Sequence, residues 1–197
     1  MPSGEIQTDA IVRDALALGK RVYVPYLEKS RELSSPNMPK SVMDMLEVLS
    51  LSDYDSLKRD SWGIPSIDPE TVHERARILP GCSSLDLIMV PGVAFCIDPS
   101  SNLIRRLGHG KGFYDYFLHR YRERYRSRED DSLMGSETDV LLYGLALEEQ
   151  FLPLSHNEPL VPTGEHDSLI HGLFVGNGKF IEGPFSKKQN GLDSCNA

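Results

Sequence analysis

The chain has 197 residues, of which 40% are hydrophobic and 25% are charged, and its 21 Lys and Arg against 29 Asp and Glu give a formal net charge of −8. This length suits one ordinary α/β domain, and the composition excludes wholesale disorder. The acidic balance argues against a general nucleic-acid or polyanion binder, although it leaves room for a local basic pocket.

The N-terminal region has the pattern of an amphipathic helix. Apolar residues recur at helical spacing from Ile6 to Leu18, and Gly19 stands where a left-handed C-cap belongs. The β-branched and aromatic residues at 22–24 then predict a short buried strand before Pro25. A helix, a tight turn and a strand in this order form half of a βαβ unit, and we expect its preceding strand to be missing.

The middle of the chain alternates loops with two apolar runs. Polar residues and two prolines predict a loop over residues 28–41. The run at 42–49 is compatible with a strand or a helical turn, because it is too short for periodicity to decide. Residues 62–65 are predicted as loop. The run at 86–90 is the clearest strand pattern, of the kind found inside parallel sheets.

The second half of the chain continues with one helix and further apolar strands. The predicted segments are a helix over 113–126, a solvated insertion over 127–138, strands over 140–147 and 173–175, and a disordered tail over 182–197. We therefore predict a single α/β domain over residues 1–181.

A glycine-rich segment at residues 105–115 joins a strand region to the predicted helix. Its three alternating glycines, at 108, 110 and 112, allow the positive φ that a concave nest of amide groups requires. The helix N-terminus, Arg106 and Lys111 add positive charge, so the segment is a candidate phosphate site. Its spacing matches neither G-x-x-x-x-G-K-[ST] nor G-x-G-x-x-G, and a flexible loop with incidental charges is the alternative. Asp115 is either a surface acid favoured by the helix dipole or a Mg²⁺ ligand.

These residues also carry a resemblance to a known family. Val90-Pro-Gly-Val-Ala-Phe95, followed by Arg106-Leu-Gly-His-Gly-Lys-Gly-Phe-Tyr-Asp115, closely resembles the signature of the 5-formyltetrahydrofolate cyclo-ligases, also called methenyltetrahydrofolate synthetases. Further matches occur at Glu5-Ile-x-Thr8, Gly19-Lys20, Met43-Asp-Met45, Trp62-Gly-Ile-Pro65, residues 146–150, Pro162 and Asp167. The expected fold is therefore a three-layer, Rossmann-like α/β sandwich with a mainly parallel central sheet and its first strand missing.

The resemblance implies the conversion of 5-formyltetrahydrofolate to 5,10-methenyltetrahydrofolate with ATP and Mg²⁺. Phosphorylation of the formyl oxygen makes it a leaving group, and N10 then closes the ring. Such phosphoryl transfer needs positioning and charge neutralisation more than covalent catalysis. The expected catalytic residues are therefore Arg106 and Lys111.

The resemblance also assigns binding residues. The ATP phosphates are expected to contact Arg106, Leu107, Gly108, His109, Gly110, Lys111, Gly112, Phe113 and Tyr114. The expected Mg²⁺ ligands are Asp115 and Asp167, and the expected folate contacts are Glu5, Trp62 and Tyr114. Residue types alone leave other interpretations open: Asp167 as a turn cap, Trp62 as a packing residue, and Glu5 as an acid in the first helical turn.

The sequence departs from the family pattern in three places. Phe113 replaces the first of two tyrosines, which removes a hydroxyl and keeps the ring, and His171 stands where relatives often carry an acid. The sequence begins just before Glu5, whereas family members begin with a helix, whose Lys and Arg approach ATP, and the first sheet strand. We therefore expect a shortened form with an unpaired sheet edge and weakened ATP affinity.

Other functions stay open at this point. One is a non-catalytic folate- or nucleotide-binding form of the same family, and another is an enzyme of the sugar-phosphate isomerase or CoA-transferase type. Cys82, Cys96 and Cys195 are too few and too scattered for a disulfide framework or a CxxC site, and Cys96 is interpreted as a buried, inert thiol. We expect a cytoplasmic monomer with no nucleic-acid or membrane partner, and a mitochondrial location stays open.

Overall fold

The computed structural model describes residues 6–30, 40–59, 63–81, 83–126, 140–154 and 160–184. The helices and strands are α1 (Asp9–Ala17), β1 (Val22–Lys29), β2 (Ser41–Val48), α2 (Leu51–Ser56), β3 (Lys58–Arg59), β4 (Pro65–Ser66), β5 (Leu87–Val90), β6 (Ala94–Ile97), β7 (Ile104–Leu107), α3 (Phe113–Arg126), β8 (Leu141–Ala146), β9 (Gly172–Val175) and β10 (Phe180–Glu182). Short 3₁₀ helices occur at Pro69–Glu74 and Glu148–Gln150. The predicted insertion at 127–138 and residues 185–197 of the predicted tail lie outside the described residues.

Within the described residues, the central sheet has four strands in the order β10-β9-β8-β5. The β5–β8 and β8–β9 pairs are parallel, and the β9–β10 pair is antiparallel. Apolar runs with one buried face form these strands, as the sequence pattern predicts. The prediction of a Rossmann-like α/β fold with a mainly parallel central sheet is confirmed.

Strands β1 and β2 form a separate antiparallel ribbon that differs from the predicted elements. It pairs Val22 with Val48 and Lys29 with Ser41, so the strand predicted to end before Pro25 continues beyond it. Among the described strands β1 pairs with β2 alone, and an edge strand tolerates proline because the missing N–H can face away from its partner. The ribbon also decides the ambiguous run at 42–49, which is a strand.

Helix α3 supplies one side of the hydrophobic core. Phe117, Leu118 and Tyr121 are each at most 1% exposed, and they join sheet residues such as Val90 and Leu142 in one buried cluster. The Tyr121 hydroxyl accepts a hydrogen bond of 2.8 Å from the Leu85 N–H, which satisfies its polar end. This packing fixes α3, and therefore its N-terminus, against the sheet.

A short antiparallel hairpin, β6–β7, leads into α3. Its turn is closed by the buried carboxylate of Asp98, which accepts hydrogen bonds from Ser100 and Ser101 and pairs with Arg105. Because β7 ends at Leu107, the hairpin delivers the chain directly to the glycine loop. None of the helices in the described part of the chain is long and apolar enough to cross a membrane.

Candidate functional site

The glycine loop, residues 108–112, lies open to solvent between β7 and α3. Gly110 and Gly112 have φ values of 77° and 64°, which favour glycine, and a Cβ at either position would meet nothing within 4 Å. The Gly112 carbonyl accepts the Tyr116 N–H at 2.9 Å, so the helix begins here. The N–H groups of a first helical turn lack intrahelical acceptors, which makes this end suited to an anion. His109 and Lys111 are both exposed beside it.

Arg106 lies beneath this loop and is almost fully buried. Its side chain is 5% exposed, and Nη2 lies 2.6 Å from Oδ2 of Asp115. Nη1 donates to the Pro91 carbonyl at 3.0 Å. A Cβ on Gly92 would come within 2.9 Å of Arg106 Cγ, and one on Gly108 within 2.9 Å of its Nη1, so the backbone lies close against this side chain at both glycines. The Pro-Gly pair after β5 and the glycine loop therefore enclose the guanidinium.

Asp115, one of the two predicted metal ligands, contacts Ser168, the residue that directly follows the other, Asp167. Oδ1 of Asp115 accepts the Ser168 N–H at 3.1 Å, so both of its carboxylate oxygens have partners. Asp167 is exposed, and its Oδ2 accepts the Gly164 N–H at 2.7 Å. The turn-capping interpretation of Asp167 is thus present in the structure, and its position directly before Ser168 brings it to the N-terminal end of α3.

Asp115 and Asp167 supply carboxylate oxygens, which are the ligand type that Mg²⁺ takes. In the part of the chain that the structure describes, no group of three or more His, Cys, Asp or Glu side chains could hold a metal ion. Nucleotide-bound Mg²⁺ is held by one or two carboxylates, phosphate oxygens and water, so two aspartates suffice. Because Asp115 pairs with Arg106, a cation would have to compete for its carboxylate.

The aromatic residues of the first helical turn pack inward. Phe113 and Tyr114 are half-buried and contact the core cluster. Burial raises the pKa of Tyr114 to about 12, a shift that the nearby charge of Arg106 partly opposes. A tyrosine phenol is neutral near pH 7 at either pKa and can donate a hydrogen bond. The other predicted folate contacts, Glu5 and Trp62, lie outside the described residues.

Arg122 contacts the site without a signal in the sequence, whereas His171 and Cys96, which the sequence singles out, lie elsewhere. The Arg122 guanidinium donates through Nη1 to the Ser168 hydroxyl at 3.1 Å, seven positions along α3 from Asp115. Nδ1 of His171 accepts the Leu142 N–H at 2.9 Å, so this imidazole is part of the sheet region. Cys96 is buried, as expected, and its sulfur accepts the Val161 N–H.

Comparison with known proteins gives consistent matches. The model of the "5-formyltetrahydrofolate cyclo-ligase family" matches residues 1–173. A "Probable 5-formyltetrahydrofolate cyclo-ligase" of Caenorhabditis elegans is 33% identical over 163 residues, which cover 79% of this chain and 64% of the relative. A Schizosaccharomyces pombe protein of the same name is 31% identical, with 78% and 62% covered. The mouse "5-formyltetrahydrofolate cyclo-ligase" is 29% identical, with 84% and 65% covered. The chain thus spans less than two thirds of the length of these relatives.

Proposed function

Since the chain belongs to the 5-formyltetrahydrofolate cyclo-ligase family, we propose that it converts 5-formyltetrahydrofolate to 5,10-methenyltetrahydrofolate. ATP is the co-substrate, Mg²⁺ accompanies it, and ADP and phosphate are released. The observation that carries the proposal is the open glycine loop at the N-terminus of α3, with Lys111 on it and Arg106 beneath it.

The chemistry requires a site that binds a triphosphate and neutralises its charge. The formyl oxygen attacks the γ-phosphorus of ATP, the bond from that phosphorus to the bridging oxygen breaks, and ADP leaves with the electron pair. N10 then attacks the activated carbon, phosphate leaves with its oxygen, and N10 loses its proton. Each of these steps separates or moves charge on phosphate oxygens, which amide donors and cations stabilise.

The residues of the loop have distinct parts in this proposal. The amides at 108–114 and the Lys111 ammonium bind phosphate oxygens, because glycine lets the anion approach the backbone closely. Arg106 is a second cation beneath the loop, and its pairing with Asp115 would be exchanged in part if that carboxylate held Mg²⁺. Asp115 and Asp167 would hold Mg²⁺, which neutralises phosphate charge when bound.

The proposed folate contacts lie in the first turn of α3 and in two segments outside the described residues. Tyr114 has a neutral, half-buried phenol next to the loop, which suits a hydrogen bond to, or packing against, a flat pterin ring. Glu5 and Trp62 stay predicted folate contacts. We propose that the folate binds beside the first turn of α3, with its formyl oxygen toward the γ-phosphate of ATP.

The proposal is tested by following the near-ultraviolet absorbance of 5,10-methenyltetrahydrofolate formed from 5-formyltetrahydrofolate. We expect an increase that requires ATP and Mg²⁺, with one ADP released per product. Lys111→Ala should reduce the rate strongly, whereas Lys179→Ala, an exposed lysine near the β9–β10 turn, should leave it unchanged. Binding of ATP and folate without any ADP release would contradict the proposal.

A further inference from the structure

Ser168 is held by two side chains of α3 at once. Asp115 and Arg122 lie seven residues apart on α3, which is about two helical turns, so they share one face. Asp115 accepts the Ser168 N–H at 3.1 Å, and Arg122 donates to the Ser168 hydroxyl at 3.1 Å. Ser168 itself is buried. The backbone and the side chain of this serine are therefore fixed separately against the same helix.

This double contact determines where Asp167 lies. Asp167 directly precedes Ser168, and two hydrogen bonds close the turn from Gly164 to Asp167. The Asp167 carboxylate accepts the Gly164 N–H, and the backbone N–H of Asp167 donates to the Gly164 carbonyl at 3.2 Å. The turn is therefore a compact unit whose end is attached to α3 through Ser168. A displacement of Ser168 would move the Asp167 carboxylate relative to that of Asp115.

We propose that Ser168 and Arg122 are positioning residues, which hold Asp167 beside Asp115 and so set the affinity of the site for Mg²⁺ bound to ATP. The inference rests on the proposed function. Arg122 is exposed, and exposed charged contacts contribute little to the free energy of unfolding. Loss of this contact should therefore change the placement of the turn far more than the stability of the fold.

Calorimetric titration of the protein with ATP tests this inference, because it measures binding and needs no catalysis. One titration contains Mg²⁺, and a second contains EDTA instead of Mg²⁺. In Mg²⁺, we expect Arg122→Gln and Ser168→Ala each to weaken ATP binding about fivefold. This change corresponds to about 1 kcal/mol, the contribution of one hydrogen bond. In EDTA their ATP affinity should equal that of the wild type. Ser168→Thr, which keeps the hydroxyl, should restore most of the Mg²⁺-dependent affinity.

Arg124→Gln is the matched control, because Arg124 lies on the same helix and donates to the carbonyls of Pro80 and Gly81, away from the site. It should leave ATP affinity unchanged in both conditions. Hydrogen exchange of the peptide around Ser168 gives a second readout, and we expect faster exchange in Arg122→Gln than in Arg124→Gln.

Each outcome decides the inference. Faster exchange with an unchanged Mg²⁺-dependent affinity would overturn it, because the contact would then be structural only. An equal loss of affinity in Mg²⁺ and in EDTA would also overturn it. If the wild type binds Mg²⁺ and ATP but forms no product, the proposed function fails while the effect of Arg122 on the metal is still measured. If the wild type binds no ATP, both fail.

Discussion

The ion pair between Arg106 and Asp115 provides a quantitative test of the site. The two side chains are 5% and 12% exposed, and their closest atoms are 2.6 Å apart. Asp115→Asn keeps an oxygen that can accept the Ser168 N–H, but it removes the charge opposite a buried guanidinium. Breaking a buried ion pair on one side costs about 3–5 kcal/mol. Because the Pro91 carbonyl still accepts from Arg106, we expect a loss of about 2–4 kcal/mol in the free energy of unfolding.

Urea unfolding of four proteins measures this effect: the wild type, Asp115→Asn, Arg106→Met and the double variant. We expect the double variant to lose less free energy of unfolding than the two single variants lose in sum. The difference, which is the coupling energy of the pair, should be about 1–3 kcal/mol. A loss below about 1 kcal/mol for Asp115→Asn, or additive single effects, would refute the reasoning.

A second buried pair gives the matched control. Arg75 and Asp53 are 5% and 15% exposed and 2.6 Å apart, and they join α2 to the chain after the Pro69–Glu74 helix. Asp53→Asn should reduce stability by a similar amount and leave ATP affinity unchanged. Asp115→Asn should reduce both. Equal effects of the two variants on ATP affinity would mean that Asp115 acts only through folding.

Two further predictions concern ionisable groups. The hydrogen bonds from Ser100, Ser101 and Arg105 hold the pKa of Asp98 well below its usual range, so its stabilising contribution is present above pH ~4 and is lost as the pH falls. Asp98→Asn should lower the free energy of unfolding at pH 7 by about 1–3 kcal/mol and should make that free energy decrease less steeply in acid. An acid profile equal to that of the wild type would contradict this. The pKa of Tyr114 is raised to about 12, above that of an unfolded tyrosine, so the contribution of this residue to the free energy of unfolding is lost as the pH rises above ~10. In an absorbance titration of the phenols, Tyr114→Phe should remove the ionisation that occurs at the highest pH. Loss of an ionisation near pH 10 instead would contradict the burial argument.

Much of the fold could be predicted because its strongest elements have local signals. The run at 86–90 and the amphipathic pattern at 113–126 correspond to β5 and α3, and Gly19 has the positive φ of a C-cap, 69°. The sequence pattern does not reveal the β6–β7 hairpin, since its strands are short and β7 contains two arginines. Its stability comes from contacts such as the Asp98 carboxylate in the turn, which periodicity does not reveal.

In the candidate site, too, local features could be predicted from the sequence and tertiary contacts could not. The open glycine loop and the helix N-terminus follow from the spacing of the glycines, because both are local properties of the backbone. The sequence does not predict the pairing of Arg106 with Asp115 or the contacts of Ser168, because these depend on how separate elements pack in the tertiary structure. Asp115 and Ser168, for instance, are 53 residues apart in sequence. Arg122 is one of several charged residues on α3, and only the tertiary structure distinguishes it.

The most direct test compares ATP binding to Gly112→Ala and Gly178→Ala by calorimetry. Both glycines have positive φ, 64° and 83°, and a Cβ at either would meet nothing within 4 Å. Alanine at either position should therefore cost a similar strain, about 1 kcal/mol. If the amides at the start of α3 bind the phosphates, Gly112→Ala weakens ATP binding about tenfold or more, while Gly178→Ala, in the turn between β9 and β10, leaves it unchanged. Equal ATP affinities for the two variants would contradict a phosphate site at this loop.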